Sequence, residues 1–202
     1  QISNSGTPTN YITIRNFGTD KVTIDAASTS QACSSTWKDG SCGFWMNANY
    51  IRLKGFEVLG GAWAIVVGPQ TDRASDTSAV QPHDVIIEDN LLKDAKTLTS
   101  PIVKYVGIMI GGRTTGFETN VNNITVQRNT IHIVEPGATD SDFTSGPGVW
   151  MMNANGGHVI RNNKIFFTGT TSVHGRDCIN SGPNFAIGLT IRDTDIYDNL
   201  CD

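Results

Sequence analysis

An eight-residue pattern of apolar and polar positions recurs along this chain. It reads apolar, any, apolar, polar, polar, usually Asn, any, apolar. Copies occupy residues 51–58, 85–92, 124–131 and 189–196, and a fifth, 158–165, fits with His158 in the first apolar slot. Starts at 51, 85, 124, 158 and 189 give intervals of 34, 39, 34 and 31 residues. Recurrence every few tens of residues with variable insertions marks a solenoid. The front of each copy alternates with the two-residue period of a strand, so each unit is one coil of a parallel β-helix.

Each coil parses into three strands. The first begins near Gly or Ala and is strongly apolar: Phe44-Trp45-Met46, Ala64-Ile65-Val66-Val67, Ile108-Met109-Ile110, Val149-Trp150-Met151-Met152 and a weak Cys178-Ile179-Asn180. The second is the front half of the eight-residue pattern. The third is its apolar tail, from Phe56, Leu91, Ile131, Ile165 and Ile196 onward. Alternation turns the first and third slots inward and sends Arg52, Ile86, Thr125, Val159 and Thr190 outward. The chain must bend between second and third strands, and Asn tolerates left-handed dihedrals better than most residues. Stacked coils also let Asn amides bond to one another as in cross-β ladders. Asn90, Asn129 and Asn163 form the expected ladder, ending at Phe56 on one side and Thr194 on the other.

A β-sandwich would also alternate, but it gives no reason for Asn in one slot of successive units. No segment holds a 3.6-residue apolar period, which excludes a helical solenoid. The insertions at 68–83 and 134–147 are rich in Ser, Thr, Asp, Gly and Pro and read as surface loops. The expected architecture is therefore all-β: one right-handed parallel β-helix over residues 1–202, with about five coils of three strands.

Composition narrows the functional classes. Lys plus Arg number 15 and Asp plus Glu 19, a net charge of −4 without a basic tract, which argues against nucleic acid as a partner. No apolar run approaches the roughly 20 residues of a membrane span. The four cysteines fall into local pairs, Cys33 with Cys42 and Cys178 with Cys201. They lack Cys-x-x-Cys spacing, so disulfides and a secreted, extracellular location are expected rather than zinc or a redox dithiol.

Tyr11-Ile12-Thr13-Ile14-Arg15-Asn16, Tyr50-Ile51-Arg52-Leu53-Lys54-Gly55-Phe56 and Gly157-His158-Val159-Ile160-Arg161-Asn162-Asn163-Lys164-Ile165 resemble coils of secreted right-handed parallel β-helix proteins. The group is the pectate-lyase-like superfamily, with its polysaccharide lyases and hydrolases. The resemblance is architectural and covers nearly the whole chain. It implies an extracellular polysaccharide lying beside the first strand, with Ca²⁺ or a basic residue neutralising a uronate and Lys or Arg taking the C5 proton. Members usually carry an N-terminal cap and further coils. Here neither end shows a cap, so the chain is expected to be an internal piece of a longer protein or to associate end to end.

Flanking the first strands are Lys104, Arg113, Asp140, Asp142, His174, Arg176 and Asp177. Arg176, Lys104, His174 and Asp177 are the candidate catalytic groups, since elimination needs a base beside a carboxylate-neutralising cation. Arg113 is a candidate substrate contact. Asp140 and Asp142 offer hard oxygens to Ca²⁺. The bland alternative for each is a solvated loop residue or a surface ion pair.

Trp45, Trp63 and Trp150 lie in first strands, where they either fill the core or stack on sugar. Val149 and Met151 suit the core, which turns Trp150 outward as a candidate substrate contact. Asn123-Ile124-Thr125 is a glycosylation sequon at Asn123. His158 is expected to be a hydrogen-bonded interior histidine. The leading functional expectation is a β-helix that binds or processes a polysaccharide, by elimination first and by hydrolysis through Asp142 and Asp177 second. The rival is a non-catalytic structural or adhesive protein stacking into filaments.

Overall fold

The computed structural model describes residues 1–26, 41–68, 81–94, 105–111, 121–135, 146–152, 154, 156–169, 177–182 and 193–202. Strands are numbered in chain order. The second-strand sheet holds β1 (Ile12–Arg15), β4 (Ile51–Lys54), β7 (His83–Glu88), β10 (Asn122–Gln127), β13 (Val159–Arg161) and β16 (Asp195–Tyr197). The third-strand sheet holds β2 (Thr23–Asp25), β5 (Glu57–Leu59), β8 (Leu91–Lys93), β11 (Thr130–Glu135), β14 (Lys164–Gly169) and β17 (Leu200–Cys201). The first-strand sheet holds β3 (Cys42–Met46), β6 (Trp63–Val67), β9 (Val106–Gly111), β12 (Val149–Met152) and β15 (Ile179–Gly182). Every paired strand is parallel to its neighbour and lies one coil away. This is a three-sheet parallel β-solenoid, and no helix occurs among the described residues.

The alternation read from the sequence is the packing. Ile51, Leu53, Val85, Ile87, Ile124, Val126 and Ile160 are fully buried, whereas Arg52, Ile86, Thr125 and Val159 are half-buried on the outer side. Thr190 lies outside the described residues. Inward residues of the three sheets, among them Met46, Ile65, Ile108 and Met151 from the first, form one continuous core. The Gly or Ala that opens each first strand has a packing reason. A Cβ on Gly43 would meet Val58 Cγ1 at 2.3 Å, and one on Gly107 or Gly148 would meet Ile131 or Ile165 Cγ2 at 2.6 Å. The missing side chain lets the third sheet pack directly on the first-sheet backbone. In the next coil that place is taken by Cys178, the register partner of Gly148's slot, and its opposite number is Cys201. The two form a disulfide with Cα atoms 5.9 Å apart. A covalent bond thus replaces the Gly–Ile contact of the preceding coil. Cys42 is also disulfide-bonded, and Cys33 lies outside the described residues.

The last repeat is displaced from its expected position. Ile196 is the register partner of Ile160 and Cys201 of Ile165, so the repeat runs from Thr194 to Cys201 and Ile196 belongs to the second sheet, not the third. Thr194 fills the first slot, which is usually apolar, and Tyr197 the fourth, which is usually polar. Asn199 is what fixes the register, and the ladder accordingly runs one coil past its expected end. Asn90, Asn129 and Asn163 donate Nδ2 protons to Oδ1 of Asn129, Asn163 and Asn199 at 3.0, 3.1 and 2.9 Å. Each of those oxygens also accepts the backbone N–H of the Asn one coil back. The other end is as expected, since Phe56 supplies only its backbone N–H to Asn90 Oδ1.

The left-handed residue is the one before the ladder Asn, not the Asn itself: Gly55, Asp89, Arg128, Asn162 and Asp198. A second left-handed column, Tyr50, Asp84, Asn123, Gly157 and Asp193, opens the second strand, so each coil turns a corner at both ends of that strand. Gly, Asp and Asn tolerate this conformation. Arg128 is held there by its bonds to Asp89 and Glu88.

Candidate functional site

On the outward side of the first sheet, Trp45, Val66, Met109, Trp150 and Asn180 stand in one register column. Val149 and Met151 enter the core, and Trp150 between them points out. Trp45, Trp63, Val66, Val106, Met109 and Met152 form a second, buried apolar cluster on this outer side. Trp45 is fixed by an Nε1–H bond to the Gly68 carbonyl at 3.2 Å. Trp150 differs in being only half-buried, with its ring stacked on Trp63 at 6.2 Å and 24°. An aromatic surface held on a packed layer is rigid, and a ligand stacking on it orders little.

Beside Trp150, Asn180 donates Nδ2–H to Asp177 Oδ2 at 2.7 Å. This fixes the carboxylate and leaves Asn180 Oδ1 and the second carboxylate oxygen as acceptors. The backbone holding them is pinned on two sides. Gly148 and Val149 donate their N–H groups to the carbonyls of Asp177 and Cys178, and the disulfide ties Cys178 to β17. Trp150 and Asp177, singled out separately in the sequence, therefore share one surface. Asn180 was missed as a polar contact because its strand carries few apolar markers, although alternation aligned with Trp150 points it outward. Arg176, Lys104, His174, Arg113, Asp140 and Asp142 lie outside the described residues. Among the described residues, no three His, Cys, Asp or Glu side chains are grouped to hold a metal ion.

The remaining polar clusters are mostly self-contained. Glu88 is nearly buried, which by itself would raise its pKa. Bonds from Gln127 Nε2 and Arg128 Nη2, both at 2.7 Å, outweigh burial and leave it below the usual carboxylate value. Arg161 continues this rail by donating to Gln127 Oε1 and to the Tyr197 hydroxyl. At the corner opening the second strand, the rings of Tyr11, Tyr50 and His83 contact edge to face, and His83 Nδ1 lies 2.7 Å from Asp84 Oδ2. Asn123 is exposed at the same corner of a later coil.

His158 is buried, but its bonding is incomplete. Nδ1 accepts the Ile124 N–H at 3.3 Å, which places the ring proton on Nε2, and that atom has no partner. Burial pulls its pKa down to about 4. This corrects the expectation of a fully hydrogen-bonded histidine.

No protein-family model, curated protein or solved structure matches the chain.

Proposed function

We propose that this β-solenoid is an extracellular polysaccharide-binding protein related in kind to the pectate-lyase-like group, with Trp150 as the stacking floor of a sugar subsite. The observation that carries the reading is the half-exposed Trp150 ring beside the Asn180–Asp177 pair. Sugar rings offer an apolar face to an aromatic plane and hydroxyls to nearby acceptors, and this surface supplies both. Parallel coils repeat along the solenoid axis, which suits a ligand that also repeats. The Cys178–Cys201 disulfide fits an oxidising compartment. Of the expected catalytic groups, Asp177 stands at this surface, and its carboxylate is held by Asn180.

Affinity electrophoresis through gels containing single polysaccharides tests this directly. At least one polymer should retard the protein, and Trp150→Ala should abolish the retardation while the circular dichroism stays unchanged. A wild-type protein that no polymer retards, or a Trp150→Ala protein retarded like wild type, rules the reading out.

A further inference from the structure

We infer that Asn123 is the acceptor of an N-linked glycan, carried at the corner where the chain enters β10. Asn123-Ile124-Thr125 is the only Asn-x-Ser/Thr sequence in the chain. An acceptor Asn must keep its amide nitrogen in solvent, because the attached glycan is bulky and hydrophilic. Asn123 meets this requirement: it is exposed and stands at a left-handed corner with φ of 53°. In the next coil the same corner position is Gly157, and a Cβ there would lie 2.3 Å from Asn123 Oδ1. The missing side chain gives the amide its room. Oδ1 is the atom turned to Gly157, and Nδ2, which takes the sugar, lies further from it. On the other side of the column the Asp84 carboxylate is engaged by His83.

Neither polar group of this sequence is spent on the fold. Asn90, Asn129 and Asn163 are buried and bonded to one another, whereas the Asn123 amide makes no hydrogen bond among the described residues. The same holds for the Thr125 hydroxyl. Thr125 points outward between its register partners Ile86 and Val159, a column in which a β-branched hydrocarbon packs equally well. Its hydroxyl therefore remains available for recognition of the acceptor sequence. In the transfer, Asn123 Nδ2 bonds to C1 of an oligosaccharide carried on a polyprenyl diphosphate. The bond from C1 to the phosphate oxygen breaks, the diphosphate leaves with that electron pair, and Nδ2 gives up one proton. The Cys178–Cys201 disulfide fits passage through the oxidising lumen in which this transfer takes place.

Secretion of the full chain from a eukaryotic host, beside a known glycoprotein from the same cells, tests the inference. The intact mass should fall on treatment with peptide N-glycosidase, and peptide mass spectrometry should place the resulting deamidation at Asn123. Thr125→Val should lose the glycan yet unfold at the same denaturant concentration as deglycosylated wild type. Thr125→Ser should keep the glycan. Should Thr125→Val fail to fold, Asn123→Gly suits the left-handed corner and should likewise lack the glycan. An unmodified wild-type mass beside a glycosylated control overturns the inference, as does a glycan that survives in Thr125→Val or Asn123→Gly. No step depends on carbohydrate binding at Trp150, so this inference and the polysaccharide reading fail separately.

Discussion

Asn129 donates its Nδ2 amide to Oδ1 of Asn163 at 3.1 Å, and its backbone N–H to the same oxygen at 3.0 Å. The same amide reaches back to the Ile87 carbonyl at 2.9 Å, so three coils meet at one buried side chain. Replacing Asn129 by Ala strips the acceptor from the Asn90 N–H groups and the side-chain donor from Ile87, in a place water does not reach. A buried polar group left unpaired costs roughly 1–3 kcal/mol, so Asn129→Ala should lose about 3 kcal/mol in denaturant unfolding. Asn199→Ala, at a half-buried rung, should lose about 1 kcal/mol. Equal losses at the two positions would show that burial does not set the ladder's strength.

The carboxyl of Glu57 is held at about 2, against an ordinary 4.5, by the ammonium of Lys21, that of Lys93 at 2.6 Å and the Thr23 hydroxyl. The folded state therefore releases this proton more readily than the unfolded chain. Its stabilisation is complete above pH 4.5 and is lost as pH falls towards 2. Glu57→Gln should unfold more easily than wild type at neutral pH. The gap should close across that acid window in a series of denaturant titrations. A gap that persists at the acid end would mean the loss comes from packing instead of charge.

Much of this architecture is legible in the sequence because a solenoid repeats its constraints. Ile51, Val85 and Ile124 meet the same neighbours in successive coils, so their alternation is reinforced each time. The last coil escaped because Thr194 breaks the first apolar slot and Tyr197 a polar one, and its register rests on hydrogen bonds accepted and donated by Asn199 that hydrophobicity cannot register. The left-handed corner was assigned one residue late because its column mixes Gly, Asp, Arg and Asn, while the conspicuous Asn column beside it serves hydrogen bonding. At the candidate site, alternation alone turned Trp150 outward. The pairing of Asn180 with Asp177 depends on side-chain rotamers within one turn, which a residue pattern does not encode.

His158 stands in a slot that Ile51, Val85 and Ile124 fill with hydrocarbon, and its pKa of about 4 lies below the usual 6.5. The unfolded chain therefore binds a proton first as pH falls. Stability should be unaffected above pH 6.5, decline as pH falls towards 4, and level off below. His158→Val removes the unpartnered Nε2–H but also the acceptor for Ile124 N–H. These oppose each other, so the neutral-pH change should stay within about 1 kcal/mol. What should disappear is the decline between pH 6.5 and 4, a window above that of Glu57. A decline that survives in His158→Val would assign it to another group.

The disulfide joins Cys178, at the start of the strand paired with β12, to Cys201 in β17, 23 residues further on. Closing a loop of that length removes chain entropy worth about 3 kcal/mol from the unfolded ensemble. In a solenoid each coil is stabilised chiefly by its neighbours, so the loss should stay local. Ile196 is 48% exposed, whereas Ile160 one coil earlier is fully buried, so this coil has little apolar packing to fall back on. In Cys178→Ala/Cys201→Ala, amide exchange should accelerate in β15, β16 and β17 while Ile108 and Ile124 keep their protection. The carbohydrate surface should suffer with it, since Asp177 and Asn180 lie on the freed segment, and polysaccharide affinity should fall even though Trp150 is untouched. Uniform acceleration throughout the chain would show that the coils unfold as one unit. Unchanged exchange in β15 would show that the hydrogen bonds from Gly148 and Val149 hold the segment without the cross-link.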